Sequence, residues 1–164
     1  MHKISYKEFL EALKGRVKGR VVILGIGNEL RGDDAFGAHL AESLKGKIEA
    51  RVFNCGPSLE NYYNPVVKEN PDVIILLDTV NFNAPLGEIA LFEKDDIVKV
   101  GFSTHNISPK IFMELLEKSV KAEIIMIGVK PGSTAFGEEL SAEVIEAADL
   151  LKGFFLKLIP AGVK

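Results

Sequence analysis

Residues 20–37 read Arg20-Val21-Val22-Ile23-Leu24-Gly25-Ile26-Gly27-Asn28-Glu29-Leu30-Arg31-Gly32-Asp33-Asp34-Ala35-Phe36-Gly37. The first half is an unbroken apolar, β-branched run. The second is a glycine-rich turn that ends in two carboxylates. An apolar run without alternation is how a strand covered on both faces of a parallel sheet reads. Asp72–Asp78 (DVIILLD) and Glu123–Lys130 (EIIMIGVK) repeat the pattern, and Glu49–Asn54 (EARVFN) is a weaker version of it. The gaps carry helical spacing. Phe36, Leu40 and Leu44 recur every fourth residue. Ser108-Pro109 supplies an N-cap serine and a proline at the first helical position, with Ile111, Leu115 and Leu116 expected to face inward. Ser141 is placed to cap a last helix carrying Val144, Ile145, Ala148, Leu151 and Phe155, and Ser5-x-x-Glu8 is a capping box for a short N-terminal helix. Strand–helix alternation of this kind predicts an open α/β sheet. Only eight residues separate Asp78 from the run Gly87–Phe92 (GEIALF). A parallel crossover needs a dozen or more, so that strand is expected to be antiparallel. The expected architecture is α/β: one domain, 1–164, with a mostly parallel mixed sheet of about five strands.

Composition narrows the function classes. With 164 residues the chain is of one-domain length, and it carries 20 basic and 23 acidic side chains for a net charge of −3. Mild acidity without a basic run disfavours nucleic acid as a partner. No apolar run approaches the roughly 20 residues of a membrane helix, and Met1–Glu8 lacks the apolar core of a signal peptide. The single cysteine, Cys55, excludes an internal disulfide and a cysteine-built zinc site. A cytoplasmic location is the expectation.

The glycine-rich turn suggests a phosphate cradle, and its details argue against one. The dinucleotide fingerprint wants glycine where Leu30 stands. Gly27 and Gly32 have P-loop spacing, yet Asp33 and Asp34 replace the lysine and hydroxyl residue that should follow. Two carboxylates repel a phosphate and suit a cation. Ligands of open α/β sheets gather at the carboxyl ends of the strands. Asp34 follows the first strand and Asp78 ends the third, while His105 lies in the polar loop Gly101-Phe102-Ser103-Thr104-His105-Asn106. Converging on one edge, the three form an O,O,N set suited to a borderline divalent ion such as zinc or nickel.

Each residue also has a plainer reading. Asp33 and Asp34 fit the cap and dipole roles of acids in a first helical turn, the favoured reading for Asp33. Asp78-Thr79 fits a turn, and a lone loop histidine is usually solvated. His2 is terminal, and His39, between Ala38 and Leu40, is expected to be partly buried. Cys55 with His105 is a minor candidate for thiol catalysis, against the commoner role of an inert small residue.

The segment Gly25-x-Gly27-Asn28-x-Leu30-x-Gly32-Asp33-Asp34-x-x-Gly37 closely resembles the signature of the nickel–iron hydrogenase maturation endopeptidases. The likeness runs from about Val21 to Leu151. The Thr104-His105-Asn106 form and Gly128-Val129-Lys130-Pro131 resemble the branch that serves formate-hydrogenlyase-type hydrogenases. The resemblance implies a mixed sheet with helices on both faces and an aspartyl-type endopeptidase. Its action would be to remove a C-terminal extension from the hydrogenase large-subunit precursor once nickel has been inserted. It implies Asp34, Asp78 and His105 as the metal-recognising and catalytic set, with nickel carried by the substrate rather than permanently bound. No His-Glu-x-x-His segment points to a resident catalytic zinc. One loop departs from the family pattern: Asn54-Cys55-Gly56-Pro57-Ser58 stands where an Asp-Gly-Gly-Ser/Thr-like loop is usual. Residues 1–18 form an N-terminal helical addition, and Gly132–Gly137 (GSTAFG) is a candidate substrate-contacting loop. A non-catalytic, metal-sensing chaperone using the same ligands is the rival reading from another class.

Overall fold

The computed structural model describes residues 6–99 and 107–162. Five strands form one sheet: β1 (Val21–Ile26), β2 (Arg51–Gly56), β3 (Val73–Thr79), β4 (Ile89–Phe92) and β5 (Glu123–Val129). Their order is β2-β1-β3-β5-β4. All neighbours are parallel except β4, which runs antiparallel to β5 with Ile89 opposite Val129. The short β3–β4 connection thus has the consequence expected of it.

The helices are α1 (Tyr6–Arg16), α2 (Phe36–Leu44), α3 (Tyr63–Lys68), α4 (Pro109–Glu117) and α5 (Ala142–Leu158). Alternate strand residues enter opposite cores, as the two-residue period of a strand requires. Ile23, Ile75, Leu77, Ile125 and Ile127 pack with α1, α2 and α5. Val22, Leu24, Ile74, Leu76 and Met126 pack with α3 and α4 on the other face. Burial on both faces is why β1, β3 and β5 read as unbroken apolar runs.

Both predicted serine caps form. Ser108 accepts from the amide of Ile111, and Ser141 from that of Val144. The inward face of α4 differs from the expected one. Phe112, Met113 and Leu116 are buried, whereas Ile111 and Leu115 are 50% and 40% exposed. Two apolar stripes compete on this helix, and the one carrying Phe112 wins because it removes more apolar area from water. Ile145 of α5 is likewise exposed, its place taken by Ala147. His39 is exposed on the outer face of α2, since the inner face is filled by Phe36, Leu40 and Leu44. The serine of the N-terminal capping box lies outside the described residues.

Helix α1 is part of the physical core. Phe9 and Leu13 are fully buried against the sheet. Arg16 then ties the end of the helix to Glu93 and Glu123, beside β4 and β5. Burial dominates this attachment, because partly exposed ion pairs contribute at most about 1 kcal/mol. Phe9→Ala is therefore expected to lower unfolding free energy by about 3 kcal/mol or more, and Arg16→Gln by about 1 kcal/mol or less, as read from urea denaturation.

Candidate functional site at the carboxyl edge of the sheet

The strand order places β2 on one side of β1 and β3 on the other, so the order of the strands reverses between the parallel pair β1 and β3. The crevice above such a switch point is where open α/β sheets hold ligands. After β1 the backbone turns at Gly27, whose φ of +144° is one that L side chains rarely adopt. A Cβ there would lie 1.8 Å from the carbonyl oxygen of Asp34. The chain then passes through a 3₁₀ turn, Gly32–Ala35, directly into α2. The glycines of this turn thus serve close backbone packing.

Asp34 and Asp78 are brought to this crevice, with 2% and 0% of their surface exposed. Asp34 Oδ2 accepts from the backbone amide of Asn28 at 2.9 Å, and its Oδ1 lies 3.5 Å from the Thr79 hydroxyl. Asp78 Oδ1 accepts from the Thr79 amide at 2.8 Å. Thr79 therefore links the two acids, a role that the sequence reading did not assign to it. The only hint was its position after an acid at the end of a buried strand. Asp34 and Asp78 thus stand at the carboxyl ends of neighbouring strands, two oxygen-donor side chains at one edge of the sheet. That donor set fits a divalent cation and adds imidazole chemistry where a histidine completes it. The expected third member, His105, lies outside the described residues. Among the described residues no group of three or more His, Cys, Asp or Glu side chains gathers as a metal site.

Asp33 behaves differently from the expected helix cap. Its Oδ2 accepts from the Gly132 amide at 2.7 Å and from the Ser141 hydroxyl at 2.9 Å, and its Oδ1 from the Ser141 amide at 2.6 Å. This 1%-exposed carboxylate clamps the segment between β5 and α5 onto the crevice wall. The 3₁₀ turn itself has no side-chain cap, its N-cap position being held by Arg31.

Cys55 is buried, and that burial pushes its thiol up to about 12, with Lys45 only partly opposing. A thiol so disfavoured as thiolate is a poor nucleophile. Asn54, standing in the altered loop, donates from Nδ2 to Glu42 and Glu29 and accepts from the Gly56 amide. The Asn54 hydrogen bond, followed by that of Lys45, holds the Glu42 carboxyl below its ordinary value. The Gly56 carbonyl in turn accepts from Gly27, so this loop buttresses the first turn. A cavity of about 620 Å³ at the opposite edge, around Arg20, Arg51, Glu69 and Asp72, does not compete as the site. Its polar groups already have partners: Arg51 pairs with Glu69, the Arg20 guanidinium donates to the Glu69 carbonyl and the Asp72 carboxylate accepts from the Arg20 amide.

Comparison with known proteins agrees with this architecture. Residues 35–157 match the hydrogenase maturation protease (HycI) family, a span that includes Asp78 and begins one residue after Asp34. The crystal structure of a [NiFe] hydrogenase maturation protease HycI from Thermococcus kodakarensis superimposes with a TM-score of 0.82 at 32% identity, covering 90% of this chain and 97% of that one. A Methanocaldococcus jannaschii protein provisionally assigned as a hydrogenase maturation protease is 31% identical over 151 residues, 85% of this chain and 88% of its own. The hydrogenase 3 maturation protease of Escherichia coli is 25% identical over 131 residues, 78% and 83% of the two chains. The sheet and its helices have the fold of a hydrogenase maturation protease. The chain belongs to the hydrogenase maturation protease family.

Two measurements follow from the buried groups. Asp33→Asn leaves one clamp donor facing an amide nitrogen, and is expected to cost about 2–3 kcal/mol in chemical denaturation. For Cys55, a folded value above the unfolded one means its contribution to stability is intact below the ordinary thiol value of 9.0 and is lost as pH rises toward about 12. The stability gap between the wild type and Cys55→Ala should therefore narrow between neutral pH and about pH 10.5, as read from urea midpoints.

Proposed function

We propose that this protein is the cytoplasmic endopeptidase that removes the C-terminal extension of a nickel–iron hydrogenase large-subunit precursor, acting after nickel insertion. The observation that carries the proposal is the pair of buried carboxylates, Asp34 and Asp78, joined through Thr79 at the switch point of the sheet. Family membership supports the peptidase activity.

In this reading Asp34, Asp78 and His105 recognise nickel that the precursor already carries, so that only loaded substrate is held in register. Nickel held by Asp34, Asp78 and His105 would supply positive charge to polarise the scissile carbonyl. The chain's own part is orientation and proton handling. The Asn28 amide and the Thr79 hydroxyl fix the Asp34 carboxylate, and the Thr79 amide fixes that of Asp78. Hydrolysis adds water across the peptide bond: an O–H bond breaks, a C–O bond forms and the C–N bond breaks. A carboxylate at hydrogen-bond range takes the proton from water and returns one to the leaving amine.

Incubation with a nickel-loaded precursor, followed by mass spectrometry, should show the released C-terminal peptide, whereas nickel-free precursor should remain intact. Asp34→Asn and Asp78→Asn should each lower the cleavage rate by about 100-fold or more. Cys55→Ala should cleave as the wild type does. Binding without cleavage by the wild type would instead support the chaperone role. Loss of activity in Cys55→Ala with activity retained in Asp34→Asn would overturn the carboxylate site.

A further inference from the structure

Leu30 and Phe136 are 62% and 72% exposed, the two most exposed large apolar side chains among the described residues. They belong to loops far apart in sequence, yet those loops are bonded into one rim. The Gly137 amide donates to the Leu30 carbonyl at 2.8 Å, that of Gly32 to Glu138 at 3.0 Å and that of Asp33 to Ser133 at 2.9 Å. The Asp33 clamp on Gly132 and Ser141 fixes the same segment from below. Asn28 connects the rim to the candidate site. Its backbone amide holds Asp34, while its side-chain oxygen accepts from the Leu30 amide at 2.9 Å. Single exposed apolar residues are ordinary on a protein surface. Two such side chains on a braced rim beside a candidate site are the pattern of an interaction surface, where aromatic anchors are enriched.

We propose that Leu30 and Phe136 form an apolar docking knob that seats in a recess on the folded body of the substrate protein. This inference rests on the proposed endopeptidase function. Side chains that stand so far out of the surface do not line a pocket that could receive an extended peptide. They fit a concave apolar surface on a folded partner. The turn that carries Leu30 also carries the Asn28 amide that holds Asp34, which makes the occupant the same precursor. The knob holds the substrate body and takes no part in bond cleavage.

The test measures precursor binding by biolayer interferometry and cleavage by mass spectrometry, on full-length protein whose fold is checked by circular dichroism. Leu30→Ser and Phe136→Ser should each weaken precursor binding and raise KM by about tenfold or more, with kcat within about twofold of the wild type. Ile111→Ser, which removes an exposed apolar side chain from α4, should change neither. Wild-type binding and KM in both rim variants would overturn the inference while leaving the function intact if Asp34→Asn is inactive. Weakened binding in the rim variants together with normal cleavage by Asp34→Asn would sustain the knob and overturn the carboxylate site. A wild-type protein that neither binds nor cleaves the precursor would overturn both.

Discussion

The start of α2 packs backbone to backbone against the sheet. A Cβ at Gly37 would sit 2.2 Å from the Leu77 carbonyl oxygen and 2.3 Å from that of Ile26, and one at Gly25 would sit 2.2 Å from the Gly37 oxygen. Only glycine at both positions lets the helix rest directly on β1 and β3. That contact determines where the preceding turn must lie. With α2 pressed onto the strand ends, the 3₁₀ turn has no room except over the crevice, and its two carboxylates enter the fold instead of solvent. The position of Asp34 is therefore a packing result before it is a chemical one.

Burying carboxylates costs several kcal/mol each unless donors or a cation replace the lost water. The protein buries Asp33, Asp34 and Asp78 within one edge of the sheet. Asp33 is compensated by two backbone amides and one hydroxyl, so its stabilisation is internal and complete enough to join two segments. Asp34 and Asp78 accept from the amides of Asn28 and Thr79 on the turn and strand that carry them. These bonds orient the carboxylates, and the Thr79 hydroxyl, 3.5 Å from Asp34, joins the turn to the end of β3. Their partners separate these two acids from the first, which is held by the segment between β5 and α5.

Much of this was legible in the residues. The unbroken runs of β1, β3 and β5, the short link before β4 and the serines at 108 and 141 each follow from local rules of burial, loop length and capping. The placement of Asp34 and Asp78 at one edge was legible because each follows an apolar run that reads as a parallel strand. What the residues did not disclose depended on contacts between distant segments. Asp33 looks like a helix cap because its partners, Gly132 and Ser141, are more than 90 positions away. Helix α4 offers two apolar stripes of similar strength, and only the shape of the second core selects the one with Phe112. His39 looked half-buried because its sequence neighbours Ala38 and Leu40 are apolar, yet a helix turns adjacent residues about 100° apart, so they predict little for it.

The same angular argument explains how two adjacent aspartates acquired separate tasks. In a 3₁₀ turn, with about three residues per turn, successive side chains diverge by roughly 120°. Asp33 is thereby directed toward the segment that leads into α5, while Asp34 is directed toward β3 and Thr79. An α-helical first turn would separate them less and would leave both beside the helix axis as dipole partners. Starting the helix with a tighter turn converts a repeated residue into a brace and a proposed ligand. It also couples them, since any shift of the turn that loosens the brace moves the carboxylate facing Thr79. The strength of the Asp33 clamp then bears on the crevice itself, because Asp33 and Asp34 share a peptide bond within a four-residue turn.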